Sequence, residues 1–167
     1  MQTRTKPMSN VATLTINAII AALYVVLSLI TPLAAGPVQL RISESLNHLV
    51  VFNRKLLWGV FAGCVMYNAL FGMGIMDVLF GGGQTLLALA LTATLQHKVK
   101  NAKVRLVLNS LFFTASMFLI AIMLHIVSDV PFWPTYGTLA LSEFAVMVIT
   151  APIMYYLNQK LDFSNRL

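Results

Sequence analysis

Three ionisable side chains stand close together in an otherwise apolar part of the sequence. The stretch PVQLRISESLNHLVVF, residues 37–52, contains Arg41, Glu44 and His48. In an α-helix these positions follow i, i+3 and i+7, so the three side chains would share one face, with Ser45 beside them. Ionisable groups among apolar segments are costly, and they usually pair with one another or mark a functional site. Two interpretations are open. Arg41 and Glu44 form an ion pair that lets a short helix insert, or the face lines a pocket for a polar ligand.

A second carboxylate, Glu143, lies in the apolar segment TYGTLALSEFAVMVITAPIMYY, residues 135–156. At helical spacing Glu143 falls on the same face as Tyr136, and its own segment contains no Lys or Arg. Such a carboxylate has three options. It can be protonated and packed against Ser or Asn, it can face Arg41 across a helical bundle, or it can accept the N–H donors of a ligand.

Hydrogen-bonding side chains also border the stretch GMGIMDVLFGGGQT, residues 72–85. We expect Asp77 in a connection between two apolar segments, either as a turn-forming residue or as a further carboxylate of a site. The glycines at 81–83 would make a tight turn or let the backbone approach another group closely. Asn68 and Gln84 could donate and accept hydrogen bonds to a flat heterocycle, although Asn68 could instead bridge two helices.

Two aromatic residues, Trp133 and Tyr136, occur in the sequence SDVPFWPTYG, which we expect to be a loop. Trp and Tyr are enriched where a helix meets the membrane interface, so the two residues could be interfacial anchors. Alternatively, they could stack on an aromatic ligand as a lid.

The composition requires a membrane around these groups. Hydrophobic residues form 59% of the 167 residues and charged residues only 10%, whereas soluble domains contain about 25% charged residues. The mean hydropathy is +0.83. A soluble domain of this size could not cover so much apolar surface, and the length fits one compact unit. The sequence therefore predicts an all-α integral membrane protein with a single domain over residues 1–167.

Breaks at charged residues, glycine and proline predict six transmembrane helices. A full span needs roughly 20 apolar residues, so the second and fourth segments are short and should be tilted or end in buried loops. The six segments are residues 11–34, 38–53, 56–73, 82–97, 105–127 and 135–158.

The basic residues predict the orientation of this bundle. Ten of the eleven Lys and Arg residues would lie on one side, which must be the cytoplasm, and both termini would lie there too. The net charge of +6 then reflects topology and not nucleic-acid binding. The eleventh basic residue is Arg41, near the outer end of the second segment. The ten are Arg4, Lys6, Arg54, Lys55, Lys98, Lys100, Lys103, Arg105, Lys160 and Arg166.

Several chemistries have no motif in this chain. The sequence contains no GxxxxGK[ST], no HExxH, no GxSxG and no Cys/His metal-ligand spacing. The single Cys64 cannot form an internal disulfide. We therefore expect no enzyme activity, no metal and no cofactor in this chain.

Small residues recur at a spacing of four in two segments. Gly59-x-x-x-Gly63 in the third segment indicates close packing of two helices within the chain. Ala18-x-x-x-Ala22 in the first segment allows the close approach of a helix from this chain or from a partner.

Together these residues resemble the QueT family, the substrate-binding S components of energy-coupling factor (ECF) transporters assigned to queuosine-precursor uptake. The resemblance extends from AALYVVLSLITPLAAGPVQLRISESL to GCVMYNALFGMGIMDVLFGGGQTLLA and covers most of the chain. Its most specific parts are two sets of residues: Gln39, Arg41, Ser43, Glu44 and Leu46, and Asn68, Asp77, Phe80 and Gly81.

The resemblance implies a transport subunit in a bacterial cell membrane. S components bind a substrate from outside, dock on a transmembrane coupling subunit that carries two cytosolic ATPases, and topple to release the substrate inside. It also implies that Ala18 and Ala22 form the docking patch, and that ATP hydrolysis belongs to the partner subunits.

The implied substrate is a 7-deazaguanine base such as queuine or one of its precursors. Its N–H and exocyclic NH2 edge suits a carboxylate such as Glu143 or Glu44, and an aminomethyl cation would suit Asp77. Arg41, Asn68 and Gln84 could meet the ring carbonyl, and Trp133 or Tyr136 could stack on the ring, while His48 would line the site. Two alternatives stay open: an S component for another flat heterocyclic vitamin, or a stand-alone carrier that couples uptake to protons through buried carboxylates.

Overall fold

The computed structural model describes residues 10–31 and 39–163, and every regular element within these ranges is helical. The basic residues Arg4, Lys6 and Arg166, which entered the topology prediction, lie outside the described residues, as does the predicted connection at 35–37. Two 3₁₀ helices, Ile42–His48 and Arg54–Leu56, flank the short helix α2. In chain order the α-helices of the described ranges are α1 (Asn10–Leu29), α2 (Leu49–Phe52), α3 (Leu57–Phe71), α4 (Ile75–Lys98), α5 (Ala102–Ser116), α6 (Phe118–Ser128) and α7 (Phe132–Leu161).

Four helical stretches of the described chain are long and apolar enough to cross a membrane: Asn10–Leu29, Ile75–Lys98, Ala102–Ser128 and Phe132–Leu161. The third stretch combines α5 and α6, because the chain passes Met117 without leaving the helical path. These stretches make the protein a multi-pass membrane protein, as its composition predicts.

The other two predicted spans are shorter. Helix α3 has 15 residues and is about 22 Å long, and residues 42–52 rise by about 20 Å as 3₁₀ and α-helix together. Both values fall short of the ~30 Å hydrocarbon thickness of a bilayer. An all-α bundle is therefore confirmed for the described residues, whereas six full transmembrane spans stay a prediction.

The second segment differs from the α-helix expected over 38–53. Arg41 has extended backbone before the 3₁₀ helix Ile42–His48, with φ −105° and ψ 112°. A 3₁₀ helix has 3.0 residues per turn, so Glu44 and His48, four positions apart, point in different directions. The predicted common face of Arg41, Glu44 and His48 is wrong for this reason.

Two predicted loops are also helical. Helix α4 begins at Ile75, so Asp77 and the glycines at 81–83 lie inside it. Gly81 serves close packing there, because a Cβ on it would collide with the Asn68 amide, whereas a Cβ on Gly83 would meet nothing within 4 Å. Trp133 and Tyr136 occupy the first turns of α7 and are not in a loop. Pro134 between them does not interrupt the helix, because proline is tolerated in the first turn.

The two glycines of α3 bring that helix against α1. A Cβ on Gly63 would lie 2.5 Å from Tyr24 Cβ and 2.9 Å from the carbonyl oxygen of Ala21. At Gly59 the backbone N–H donates to Asn17 Oδ1 at 2.6 Å. The predicted internal packing role of Gly59-x-x-x-Gly63 is confirmed, and Gly63 packs directly against the buried Tyr24.

Candidate functional site

A buried carboxylate, Glu44, joins α1 to the 3₁₀ helix Ile42–His48. Its Oε1 accepts a hydrogen bond of 2.6 Å from the Tyr24 hydroxyl, and its Oε2 accepts one of 2.5 Å from Asn47 Nδ2. One turn along, Ser28 Oγ donates to Ser43 Oγ at 2.7 Å. Both carboxylate oxygens of Glu44 thus have protein donors, which is what a buried charge requires.

Arg41 and Glu143 complete a charged group around Glu44. Glu143 is close enough to Glu44 and Arg41 to interact electrostatically with both. The Arg41 guanidinium also lies over the Tyr67 ring, with Cζ 5.5 Å from the ring centroid. We call Tyr24, Arg41, Glu44, Asn47 and Glu143 the polar cluster. It brings together three of the residues predicted to bind a ligand: Arg41, Glu44 and Glu143.

Glu143 differs from Glu44 in its hydrogen bonding. Its side chain is 3% exposed, on the inward face of α7 between Leu139 and Met147, both of which are buried. Its Oε1 has no hydrogen-bond partner within the described residues. A buried polar atom without a partner costs about 1–3 kcal/mol, so such atoms require a specific reason. Glu143 Oε1 is therefore able to accept a hydrogen bond from a donor outside the described residues.

His48 is buried, and both of its ring nitrogens face protein groups. Nε2 lies 2.9 Å from the carbonyl oxygen of Met147, which can only accept, so this nitrogen carries the proton. Nδ1 then accepts from Asn109 Nδ2 at 3.1 Å, and Asn109 Oδ1 accepts from the Thr92 hydroxyl at 2.6 Å. The chain of bonds ties the second segment to α4, α5 and α7, which favours a structural role for His48.

The predicted amides Asn68 and Gln84 differ from each other. Gln84 Nε2 donates to Ser116 Oγ at 2.8 Å, and its Oε1 accepts from Thr85 at 3.1 Å, so the side chain bridges helices. Asn68 Nδ2 points to the sulfur of Cys64 at 3.5 Å, while its Oδ1 is buried without a partner among the described residues. Asn68 Oδ1 therefore has no donor among the described residues, whereas both ends of the Gln84 amide already have a protein partner.

Asp77 acts at the start of α4. Its Oδ2 accepts from the backbone N–H of Met73 at 2.6 Å, across the connection that contains Gly74 with φ 97°. An acidic side chain in the first helical turn that reaches back to the preceding backbone stabilises the helix N-terminus. This contact supports the turn-forming interpretation of Asp77.

The aromatic residues at the start of α7 lie mainly on the surface. Trp133 is 76% exposed and packs its edge against Phe132, which stacks on Tyr136 with ring centroids 6.1 Å apart. Tyr136 is half-buried against the cluster formed by Met117, Ile120 and neighbouring residues. The placement of Trp133 is typical of an interfacial anchor.

Ala18 and Ala22 are both exposed on α1, whereas Ala21 and Tyr24 of the same helix are buried. The predicted small-residue patch therefore does not pack within the described part of this chain. In the same described residues, no group of three or more His, Cys, Asp or Glu side chains is placed to hold a metal ion.

Sequence reasoning did not include Tyr24 and Asn47 in the site. Asn47 stands three positions after Glu44, which is one full turn of a 3₁₀ helix. It carries no charge, so it does not stand out among the ionisable residues of the second segment. Tyr24 carries no charge and lies in an apolar segment, so no local signal distinguishes it from a core aromatic residue.

The fold and the polar cluster define the class: a multi-pass membrane protein with a charged, partly unsatisfied site inside its helical bundle. A family model described as QueT transporter matches residues 14–159. The chain belongs to this family of transporters. It is 41% identical over 157 residues to a protein named Queuosine precursor transporter QueT from Lactococcus lactis subsp. cremoris (strain MG1363), an alignment that covers 88% of this chain and 92% of the relative. No solved structure matches the chain.

Proposed function

We propose that this protein is the substrate-binding S component of an ECF-type importer, and that it captures a queuosine precursor, either a 7-deazaguanine base or queuine. The chain acts as one domain over residues 1–167 in a bacterial cell membrane, with six passages and both termini in the cytoplasm. Membership of the QueT transporter family and the name of the Lactococcus relative support the substrate class.

The observation that carries the proposal is the buried Oε1 of Glu143, which has no hydrogen-bond donor among the described residues. A 7-deazaguanine base presents a ring N–H and an exocyclic NH2 on one edge, and a carboxylate can accept both. Glu44 is less suited to this role, because Tyr24 and Asn47 already donate to its two oxygens. We therefore assign the N–H edge of the base to Glu143.

The other groups of the site fit the remaining edges of such a base. The Arg41 guanidinium offers donors for the ring carbonyl, and the unpartnered Oδ1 of Asn68 offers an acceptor. Arg41 interacts electrostatically with both Glu44 and Glu143, and of the two carboxylates Glu143 is the one left for the ligand. A ligand that brings no hydrogen-bond donors would leave these buried acceptors unpaired and would bind weakly. The site therefore favours a base with several donors.

Partner subunits complete the proposed transporter. The exposed Ala18 and Ala22 on α1 provide a small-residue surface for a helix of the coupling subunit. Since the sequence has no GxxxxGK[ST] motif, ATP hydrolysis in this scheme belongs to two cytosolic ATPases bound to that coupling subunit. The S component itself needs no cofactor in this scheme.

Isothermal titration of the purified, detergent-solubilised chain tests the proposal. Queuine, its smaller precursors and guanine are titrated in turn, and we expect submicromolar binding of one deazapurine with guanine at least about tenfold weaker. The Glu143→Gln variant should weaken that binding by about tenfold or more, because an amide nitrogen would face the ligand's donors. Asp129→Asn is the matched control, since Asp129 lies at the end of α6 away from the polar cluster. Equal affinities of the Glu143→Gln and wild-type chains would remove Glu143 from the site.

The buried carboxylates also suit the second candidate, a proton-coupled carrier. Vesicles containing the chain alone separate the two functions. Uptake driven by a pH gradient would support the carrier. Uptake only in the presence of the coupling subunit, the ATPases and ATP would support the S component.

A further inference from the structure

A groove of ≈ 560 Å³ runs between α5 and α7 on the outside of the bundle. Its walls are almost entirely apolar, and several of the side chains that line it are exposed. Leu106, Val107 and Leu111 form the α5 wall, and Phe144, Val148 and Pro152 form the α7 wall. None of these residues belongs to the polar cluster, so the groove is separate from the proposed substrate site.

One end of the groove is basic. Lys103, in the first turn of α5, lines that end, and its Nζ lies 5.5 Å from the centroid of the Tyr155 ring. The Lys103 ammonium contacts this ring and makes no hydrogen bond or ion pair with any of the described residues. Lys98 at the end of α4 and Lys100 in the following connection are exposed, and Asp162 is the one acidic residue described at this end of the bundle. The end of the groove thus has an excess of positive charge.

We propose that the groove binds one anionic phospholipid, with an acyl chain between α5 and α7 and the phosphate at Lys103. An apolar groove on a membrane-facing surface suits an acyl chain, since most of the side chains along it are of hydrocarbon character. An ammonium at the start of a membrane helix lies at headgroup height, where basic pockets between helices bind anionic lipids. The charge at Lys103 selects an anionic headgroup over a zwitterionic one. Under the proposed topology this end faces the cytoplasmic leaflet, where anionic lipids are concentrated.

Tryptophan quenching by brominated lipids tests the site in bilayers. The full chain carries Trp58→Phe and Trp133→Phe, which remove both native tryptophans, and Phe144→Trp as a reporter inside the groove. Quenching is measured with brominated phosphatidylglycerol and with brominated phosphatidylcholine. We expect phosphatidylglycerol to bind about fivefold more strongly at this reporter, which corresponds to about 1 kcal/mol for one basic side chain near the surface.

Matched variants decide whether Lys103 and the groove cause this preference. Lys103→Gln should reduce the preference to below about twofold, whereas Lys98→Gln should reduce it less, because Lys98 does not line the groove. Val148→Phe should reduce quenching by both lipids, because the added ring fills the groove at an exposed position. A Leu79→Trp reporter on the exposed side of α4 should show no comparable preference.

Four results would overturn the proposal. The first is an equal preference for phosphatidylglycerol at the Phe144→Trp and Leu79→Trp reporters. The second is an equal effect of Lys103→Gln and Lys98→Gln on that preference. The third is the absence of quenching of the Phe144→Trp reporter by either lipid. The fourth is competition by free inorganic phosphate, which would make the site an anion site without a lipid. None of these outcomes depends on the ligand of the polar cluster, so this proposal and the proposed transport function fail independently.

Discussion

The Tyr24 hydroxyl donates to Glu44 Oε1 over 2.6 Å, and this bond links α1 to the 3₁₀ helix that follows Arg41. The Tyr24 side chain is fully buried and Glu44 is 4% exposed, so water does not replace the bond when it is broken. The bond orients the Glu44 carboxylate, which lies close enough to Arg41 to interact with it electrostatically. The orientation of the site therefore depends on a residue of α1 that carries no charge.

Tyr24→Phe should destabilise the protein. Removal of the hydroxyl leaves a buried carboxylate oxygen without its donor, at a cost of about 1–3 kcal/mol. Thermal unfolding of the detergent-solubilised chain should show a lower midpoint for Tyr24→Phe than for the wild type. Tyr156→Phe is the control, because Tyr156 is 57% exposed on α7 and should change the midpoint little. Equal midpoints for the two variants would show that the Tyr24 bond does not support the fold.

Gly63→Ala should separate α1 from α3. The new Cβ would lie 2.5 Å from Tyr24 Cβ, so one of the helices must shift, and overpacking of this kind costs about 1–3 kcal/mol. Gly83→Ala is a matched control within α4, since a Cβ there meets nothing within 4 Å. Removing a helical glycine at an open position should be neutral or stabilising by up to about 1 kcal/mol. The measurement is thermal unfolding of both variants, and a more stable Gly63→Ala chain would contradict the close contact.

Asn109→Leu should weaken the connection between His48 and the rest of the bundle. Asn109 is the donor to His48 Nδ1, and its loss leaves this buried nitrogen without a partner at about 1–3 kcal/mol. The Thr92 hydroxyl keeps its bond to the carbonyl oxygen of Ala88 at 2.9 Å, so the loss is confined to His48. Thr94→Val, an exposed polar-to-apolar change on α4, is the control. If chemical denaturation gives the same stability for both variants, the buried chain of hydrogen bonds is not a structural element.

Much of the fold could be predicted because it follows from composition and length. The apolar segments predicted three of the four long spans, whereas the fourth segment, expected to be short over 82–97, is the long helix Ile75–Lys98. The Gly59-x-x-x-Gly63 spacing predicted close packing within the chain, and the helix that α3 contacts there is α1. The starts of α4 and α7 could not be predicted, because glycine and proline normally interrupt helices. Here the bundle uses Gly81 for close packing against Asn68, and α7 has Pro134 in its first turn, where proline is compatible with a helix.

Prediction of the site was limited by the period of one short element. The charged residues Arg41, Glu44 and Glu143 could be identified, because ionisable groups stand out in an apolar chain. Their neighbours depend on tertiary contacts: the 3₁₀ period places Asn47, and not His48, beside Glu44. Which carboxylate lacks a donor is a property of packing between α1, the 3₁₀ helix and α7, and it has no signature in any one segment.

Ala22→Trp should abolish transport without affecting ligand binding. Ala22 is exposed on α1 and lies on the face opposite Tyr24, so a large side chain there leaves the polar cluster intact but prevents another helix from approaching. In vesicles containing the full transporter complex, ATP-driven uptake of the ligand should fall by about tenfold or more, while the affinity of the isolated chain stays within about twofold of the wild type. Leu79→Trp is the control, since Leu79 is 60% exposed on α4 and also faces the membrane. Wild-type uptake by the Ala22→Trp chain would exclude this face of α1 from the contact with the coupling subunit. Reduced uptake by both variants would indicate a general effect of added bulk.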